Sequence, residues 1–179
     1  TGGDPPALCS AGWPAPAANL TGGVEGRGFI QPMQQLQQER PSLAVAGAVA
    51  MEEAVALTVK YTKDRHAFGK PIFNFQNTKF KLAEAATTAK IARVFVDDCI
   101  AKHINGELDI PTASIAKMWI PPQQCEVADQ CLQLFGAYGY LQKPPIPRLY
   151  TDSPTQNTSR RPHAITKRTT ARRSSRSIP

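Results

Sequence analysis

The sequence predicts an all-α fold, an antiparallel bundle of long helices joined by short connections. Three observations support this class. Apolar residues recur with the three-and-four spacing of helices through most of residues 38–135. Glycine and proline, which end helices, interrupt that pattern at only a few places. No part of the region alternates apolar and polar residues over the length of an ordinary strand.

The N-terminal part is predicted to contain a loop and two helices. The first 16 residues show no helical period, so we expect a disordered or foreign N-terminal segment over residues 1–16. A glycine-rich loop and a short helix over about 29–36 follow. Pro41 is tolerated only in a first turn, so a second helix is predicted to begin near 38–40 and to end near Lys63. Its alanine- and valine-rich interior predicts close, buried packing.

Two further helices follow in the prediction. The third runs from about Asn74 to Ile104, where Asn105 and Gly106 provide a glycine-based stop. Its amphipathic face is predicted to comprise Phe80, Ala83, Thr87, Ile91, Val94, Phe95 and Ile100. The fourth begins at 111–112 and ends near Phe135. Its buried stripe is predicted to comprise Ile115, Met118, Trp119, Val127, Cys131, Leu134 and Phe135.

Charge is distributed unevenly along the 179 residues. The formal net charge is +7, and the seven Lys and Arg of residues 154–179 are accompanied by no Asp or Glu, so the rest of the chain is neutral. A basic tail without interleaved aromatic residues does not by itself predict a nucleic-acid partner. No apolar run approaches the roughly 20 residues that span a bilayer, so we expect no membrane partner.

The four cysteines indicate a reducing compartment. They show no C-x-x-C pair and no zinc-type spacing with the three histidines, so we expect reduced thiols and no metal site. Cys125 and Cys131 are predicted to be buried structural residues. The first residues also lack the charged start and apolar core of a signal peptide. We therefore expect a cytoplasmic or mitochondrial-matrix location.

Four segments carry more specific information than the helical period. They are GRGFIQPMQQLQQERPSLA (26–44), YTKDRHAFGKPIFNFQ (61–76), TASIAKMW (112–119) and DQCLQLFGAYGYLQKPPIPRLYTDS (129–153). In this order they resemble the C-terminal helical domain of the acyl-CoA dehydrogenases, flavoenzymes that oxidise fatty acyl thioesters. The resemblance covers about residues 17–153. It implies FAD as cofactor, an acyl-CoA substrate, an electron-transferring flavoprotein-type acceptor and a homo-oligomer, a tetramer in the family.

The resemblance assigns the connection between the second and third helices to FAD. It implies that Arg65 reaches the FAD pyrophosphate of a neighbouring subunit, and a guanidinium is a fixed fork of donors suited to phosphate oxygens. It also places Phe68 and Gln76 against the cofactor, with backbone contributions from His66 and Ala67. The alternative is a surface arginine paired with the preceding aspartate and a phenylalanine that plugs the end of the bundle.

A second flavin-contacting segment is implied further along the chain, comprising Gln133, Leu134, Phe135, Gly136 and Ala137. Family members usually have two adjacent glycines there, and the methyl group of Ala137 would crowd the contact between backbone and cofactor. A glycine-rich helix stop is the alternative for Gly136.

The chemistry of this family needs a base. It removes the proton α to the thioester carbonyl while the β carbon gives a hydride to the flavin. The long-chain and isovaleryl branches carry this carboxylate in a Glu-Arg pair at the start of the long helix, which implies that Glu39 is the base. Arg40 would steady the carboxylate and line the thioester end of the site, and Gln37 would contact CoA. Glu39 as an ordinary acid of a helix N-terminus is the alternative.

After Ser153 the chain departs from the family pattern. Residues 154–179 contain no glycine and no acid, and we predict a disordered basic tail that arises from an altered reading frame or another terminal rearrangement. The resemblance implies that the family loop that contacts the substrate carbonyl is lost with this change. We therefore expect the family fold with poor or no activity from this chain alone. The alternative function is a non-catalytic helical scaffold or assembly subunit derived from the family.

Overall fold

Three long helices and one shorter helix make up most of the described chain. The computed structural model describes residues 16–20, 22–28, 30–141, 145–158, 167 and 171, with side chains at all of these except 17, 32–38 and 156–158. The chain divides into two compact units, Thr1–Gln35 and Leu36–Pro179. The first contains a short 3-10 helix at Ala17–Asn19. Residues 1–15 of the predicted foreign segment lie outside the described residues.

The first long helix, α1, spans Ile30–Asp64 and contains Pro41 in its interior. The predicted break between a helix at 29–36 and a new helix near 38–40 is therefore wrong. A proline costs about 3 kcal/mol inside a helix, because it removes one hydrogen bond and crowds the preceding turn. Here Pro41 is buried, and the neighbouring Arg40 donates from Nη1 to Ser114 Oγ at 2.8 Å. These tertiary interactions offset the local cost, so the helix continues.

A small hairpin connects α1 to the second long helix. Strands β1 (His66–Ala67) and β2 (Lys70–Pro71) pair antiparallel, and a 3-10 turn at Ile72–Asn74 follows. Helix α2 spans Gln76–Ile104. It ends at the predicted glycine stop, where Gly106 has a φ of 73° and its N–H donates to His103 O.

The third long helix, α3, spans Ile110–Phe135, close to the predicted bounds. Asp109 caps its start, because Oδ1 accepts a hydrogen bond from Thr112 N at 3.2 Å. Pro121 and Pro122 lie in its interior, so α3 lacks two of its internal hydrogen bonds. A 3-10 turn at Gly136–Tyr140 then reverses the chain.

Helices α1 and α3 run parallel and in step. Near their starts Arg40 bonds Ser114, and near their ends Tyr61 Oη donates to Phe135 O at 3.3 Å. The two partners of each pair are separated by 74 residues in sequence, so the register between the two helices stays constant over roughly 30 Å of rise. Helix α2 joins opposite ends of the two and therefore runs antiparallel to both. The predicted antiparallel bundle is confirmed.

An ion pair joins the middle of α1 to the middle of α2. Arg93 Nε donates to Glu52 Oε1 at 2.8 Å, and Arg93 Nη2 donates to Glu52 Oε2. The hydrogen bond from Arg93 holds the pKa of Glu52 below its usual value. Both side chains are partly exposed, so we expect the pair to orient α1 relative to α2 but to contribute little to the free energy of unfolding.

The core between the three long helices is built largely from small side chains. Buried residues of this core are Ala44, Ala48, Met51, Ala54, Ala85, Ala89, Ala92, Val96, Cys99, Ala116, Ile120, Val127, Cys131, Phe135 and Ile146. Alanine lets helix backbones approach closely, as predicted for α1. On α3 the predicted stripe is correct at Val127, Cys131 and Phe135, whereas Ile115 is exposed.

The buried face of α2 is opposite to the predicted one. The buried residues are Thr78, Leu82, Ala85, Ala89, Ala92, Val96 and Cys99. On the predicted face, Phe80, Ile91 and Val94 are 57%, 53% and 58% exposed. Ala83, Thr87 and Ile100 are exposed as well, and Phe95 is half-buried. Both faces have helical spacing, but the narrow space between the helices admits alanine rather than the larger side chains.

One helical segment also meets the length and hydropathy of a membrane span. Within Glu39–Asp64 a window of 18 residues reaches a mean hydropathy of 1.6, although Glu52 and Glu53 interrupt the apolar run. A core helix of a globular protein passes the same test, and α1 contributes four residues to the core. The absence of a membrane partner therefore stays a prediction.

Two of the cysteines are buried as free thiols. Cys99 and Cys131 are buried and Cys125 is half-buried. Burial raises the pKa of the Cys99 and Cys131 thiols, so both are protonated at neutral pH. The predicted structural role is supported for Cys131 and only in part for Cys125. Cys9 lies outside the described residues.

The last helix, α4, spans Ile146–Thr158 and continues past Pro154, where the disordered tail was predicted to begin. The boundary at 153 is therefore too early. Buried Gln124 of α3 donates from Nε2 to the buried Ser153 Oγ at 3.1 Å, which fixes this part of α4 on α3. Composition alone could not reveal that contact. Residues 159–166, 168–170 and 172–179 of the predicted tail lie outside the described residues.

The Arg40–Ser114 bond can be tested by replacing Ser114 with Ala. We expect the free energy of unfolding to fall by about 1.5–3 kcal/mol, the range for hydrogen bonds to charged groups, in urea denaturation of the purified chain. Thr87→Ala is the matched control, because both hydroxyls donate to a carbonyl four residues earlier but Thr87 is exposed. Equal losses in the two variants would contradict the interhelical role of Ser114.

Burial of Lys117 predicts a pH-dependent contribution to stability. The side chain is buried, and burial lowers its pKa. Between the lowered folded value and the ordinary lysine value the unfolded state binds more protons, so this contribution to stability rises with pH.

We therefore expect the unfolding free energy of the Lys117→Met variant to rise less between neutral and alkaline pH than that of the parent chain. The buried Cys99 and Cys131 thiols have raised pKa values, so their contribution to stability falls as pH rises. Both proteins contain these thiols, so their contribution cancels when the two pH profiles are compared. Parallel pH profiles in urea denaturation would show that Lys117 does not contribute.

Candidate functional site

A cavity of about 660 Å³ lies where the C-terminal ends of α1 and α3 meet. The residues that line it are Tyr61, Arg65, Ile72, Gln133, Leu134, Phe135, Gly136, Ala137, Tyr138 and Leu141. Two segments that the sequence assigned separately to a cofactor, Arg65 and residues 133–137, therefore meet in one cavity.

Arg65 follows directly after α1 and has a fixed backbone. Its N–H donates to Tyr61 O at 2.8 Å, and its carbonyl accepts from Ile72 N at 2.8 Å. These bonds close the hairpin at its base. The guanidinium is exposed at the cavity, where a planar fork of donors suits phosphate or carboxylate oxygens.

Exposed cations surround the hairpin. Lys70 Nζ lies 4.5 Å from the ring centroid of Phe75, and Lys63 Nζ lies 5.5 Å from that of Phe73. Both contacts are within the range of cation–π attraction. With Arg65 they give this end of the bundle a positive surface, which favours an anionic ligand.

Phe68 lies at the tip of the hairpin in an unusual conformation. Its φ is 54° and its side chain is 95% exposed, and Gly69 also has a positive φ of 78°. Two successive left-handed residues are typical of a tight hairpin turn. A bulky aromatic residue is costly there, and such strain clusters at functional sites. The ring of Phe75 meets that of Phe68 edge-on at 6.2 Å.

Four predicted cofactor residues lie outside the cavity. They are His66 and Ala67 in β1, Phe68 at the hairpin tip, and Gln76, the exposed first residue of α2. Their contact with a cofactor stays a prediction.

Gly136 brings backbone to the cavity in a conformation that glycine favours. Its φ and ψ are 56° and −138°, and a Cβ built at this position would meet no atom within 4 Å. The backbone there faces open space that a ligand can approach. Gly136 is also the C-cap of α3, so the alternative role as a helix stop applies too. Ala137 is exposed and lines the same cavity.

Sequence reasoning missed several lining residues, above all Tyr61 and Tyr138. The Tyr61 ring stacks on Phe135 with centroids 4.2 Å apart and on Tyr138 with centroids 5.6 Å apart. One signal was available, because Tyr61 precedes Arg65 by one helical turn and therefore lies on the same face. Nothing in the local pattern of Tyr138 indicated its partner.

The predicted base lies at the other end of α1. From Glu39 to Arg65 a helix rises by about 40 Å. Glu39 is half-buried, and Arg40 is 6% exposed with its guanidinium bound to Ser114. The side chain of Gln37 lies outside the described part of the chain. A single chain therefore does not bring Glu39 or Arg40 to the Arg65 cavity.

Comparison with known proteins gives consistent results. The sequence matches the family profile described as acyl-CoA dehydrogenase, C-terminal domain, over residues 26–174. The mitochondrial long-chain specific acyl-CoA dehydrogenase of Mus musculus is 40% identical over 139 residues, which cover 78% of this chain and 32% of that protein. The chain spans about a third of the length of the curated relatives it matches.

Solved structures agree with the sequence matches. An acyl-CoA dehydrogenase from Geobacillus kaustophilus is 40% identical with a TM-score of 0.82, over 84% of this chain and 40% of that chain. Butyryl-CoA dehydrogenase from Megasphaera elsdenii is 31% identical with a TM-score of 0.79, over 83% of this chain and 39% of that chain.

The resemblance drawn from the four sequence segments is thus confirmed, and the helical bundle described above is the fold it implied. This chain belongs to the acyl-CoA dehydrogenase family and corresponds to its C-terminal domain.

Proposed function

We propose that this chain is the C-terminal part of a FAD-dependent acyl-CoA dehydrogenase, which converts a fatty or branched acyl-CoA to the 2-enoyl-CoA. The observation that carries the proposal is the cavity shared by Arg65 and residues 133–137. Arg65 would bind the pyrophosphate, and the open backbone at Gly136 would let the cofactor approach closely. When bound, FAD supplies the acceptor for the hydride that leaves the β carbon.

Glu39 is the proposed base for the proton α to the thioester carbonyl. Glu39 is half-buried, so its side chain is accessible to a substrate. A positioned carboxylate is effective only when the donors on the carbonyl are also in place. We therefore expect turnover to depend on those donors as well as on Glu39.

The distance between Glu39 and Arg65 implies a site shared by two copies. About 40 Å separates them along α1, so Arg65 of one copy must serve the flavin that faces Glu39 of another. This reasoning supports the homo-oligomer that the family resemblance implied, and it requires an interface that brings opposite ends of the bundle together.

The outer stripe of α2, which we define as Ile91, Val94 and Phe95, offers such an interface. With Lys90 and Asp98 it lines a shallow hollow of about 570 Å³. A two-fold axis through Val94 would pair two α2 helices antiparallel and set Lys90 of each copy against Asp98 of the other. It would also place the hairpin end of one bundle beside the Glu39 end of its partner.

The remaining partners follow from the same proposal. Electrons would pass from the reduced cofactor to an electron-transferring flavoprotein-type acceptor, in the cytoplasm or the mitochondrial matrix. The second candidate function is a non-catalytic scaffold or assembly subunit. The outer stripe of α2 favours it, because that surface would support assembly whether or not a cofactor binds.

Replacing Arg65 by Lys tests the cofactor site. The change keeps the charge but removes the fork of donors, so we expect the Kd for FAD of the purified chain to rise about tenfold in a fluorescence titration. Arg148→Lys on α4 is the matched control, since Arg148 is exposed and does not line the cavity. A parent chain that binds no FAD but still forms oligomers would favour the scaffold.

Replacing Glu39 by Gln tests the base. We expect the rate of flavin reduction by an acyl-CoA to fall by about 100-fold or more, while FAD binding is unchanged. Glu53→Gln, an exposed acid of the same helix, serves as control and should keep the parent rate.

A complementation experiment then tests the shared site. Glu39→Gln and Arg65→Ala are each expected to be inactive, but a mixture of the two should recover part of the rate, because a mixed pair contains one complete site. No recovery from a mixture that does form mixed oligomers would contradict the arrangement.

Replacing Val94 by Glu tests the interface. A charge at the centre of the outer stripe would be buried without a partner, so we expect the oligomer to dissociate at least about tenfold more readily in light scattering after gel filtration. Val49→Glu on α1 is the control, because Val49 is 46% exposed and lies on another helix. Equal effects of the two changes would argue against the α2 surface.

A further inference from the structure

A stack of three aromatic rings lies at the base of the cavity and joins its two halves. Tyr61, near the end of α1, stacks on Phe135, the last residue of α3, at an interplanar angle of 10°. It also stacks on Tyr138 in the following 3-10 turn, at an interplanar angle of 2°.

Tyr61 is connected to both cofactor-binding segments through its own atoms. Its backbone carbonyl accepts the hydrogen bond from Arg65 N at 2.8 Å. Its Oη donates to Phe135 O at 3.3 Å, and the next residue is Gly136, whose backbone faces the cavity. A shift of Tyr61 relative to Phe135, which the stacked rings oppose, would therefore change the distance between Arg65 and the Gly136 backbone.

We propose that Tyr61 is a positioning residue of the cofactor site, whose ring sets the spacing between Arg65 and the Gly136 backbone. The inference rests on the proposed function, because the spacing matters only if one ligand contacts both segments. The ring carries this role rather than the hydroxyl. The hydrogen bond is long for an O–H donor, whereas both stacks are close to parallel.

Ordinary core packing is the competing explanation for the stack. Under that explanation, loss of the ring lowers stability and affects FAD binding no more than an equally destabilising change elsewhere. Met51 is a suitable comparison, because it is fully buried in the middle of the bundle and does not line the cavity. A positioning role is distinguished by rescue with a conservative variant that keeps the ring.

The first measurement is FAD affinity in the purified full chain. We expect Tyr61→Leu to raise the Kd about tenfold, since both aromatic contacts of the ring are lost. Tyr61→Phe should stay within about twofold of the parent chain, and Met51→Ala should keep the parent Kd despite lower stability. Equal weakening by Tyr61→Leu and Met51→Ala would overturn the proposal, and so would a Tyr61→Leu variant with the parent Kd.

The second measurement needs no cofactor and separates this inference from the proposed function. Spin labels at Lys60 and Tyr140, both exposed, report the distance between the ends of α1 and of the 3-10 turn, in a chain with Cys9 and Cys125 replaced by Ser. We expect one narrow distance in the parent chain and in Tyr61→Phe, and a broader or longer one in Tyr61→Leu. An unchanged distribution in Tyr61→Leu would overturn the positioning role, whereas a parent chain that binds no FAD contradicts the proposed function instead.

Discussion

The parallel, in-step packing of α1 on α3 is the constraint on which the other features depend. Arg40 and Ser114 fix one end, and Tyr61 and Phe135 fix the other with the same offset of 74 residues. A continuous helix between two such contacts cannot shift at one end without shifting at the other. This rigidity brings Arg65 beside Gly136, and it also keeps Glu39 a full helix length away. The proposed cooperation between two copies is therefore a consequence of an uninterrupted α1.

Helix α2 shows how a small-residue core leaves large apolar side chains outside. Three alanines face α1 and α3 because closely spaced helices leave no room for more, so Ile91 and Val94 remain on the opposite side. Apolar side chains that are over half exposed have a driving force to be covered by a partner. The interior of one bundle and the proposed contact between two bundles thus arise from one feature of the sequence, a helix that is apolar on two faces.

The sequence predicted the number of long helices, most of their bounds, and Arg65 and residues 133–137 of the cavity, because caps, glycine stops and family motifs are local signals. It did not predict the other residues that line the cavity, such as Tyr61 and Tyr138. It did not predict that α1 continues through Pro41, since the contacts that offset the proline lie 74 residues away at Ser114. It chose the wrong face of α2, because hydrophobicity increases with side-chain size whereas tight packing selects against size. It also could not show that Glu39 and Arg65 are separated, because that distance depended on whether α1 was broken.

The exposed hairpin between α1 and α2 has a consequence for the handling of the protein. Phe68 presents an aromatic side chain on a short, strained turn, and exposed loop tips are preferred places for proteolytic nicking. An enzyme that cuts after aromatic residues would separate α1 from α2 there, yet the buried contacts of both fragments with α3 would hold them together. Resistance to such nicking would then report that the hairpin is covered, by a ligand or by another copy of the chain.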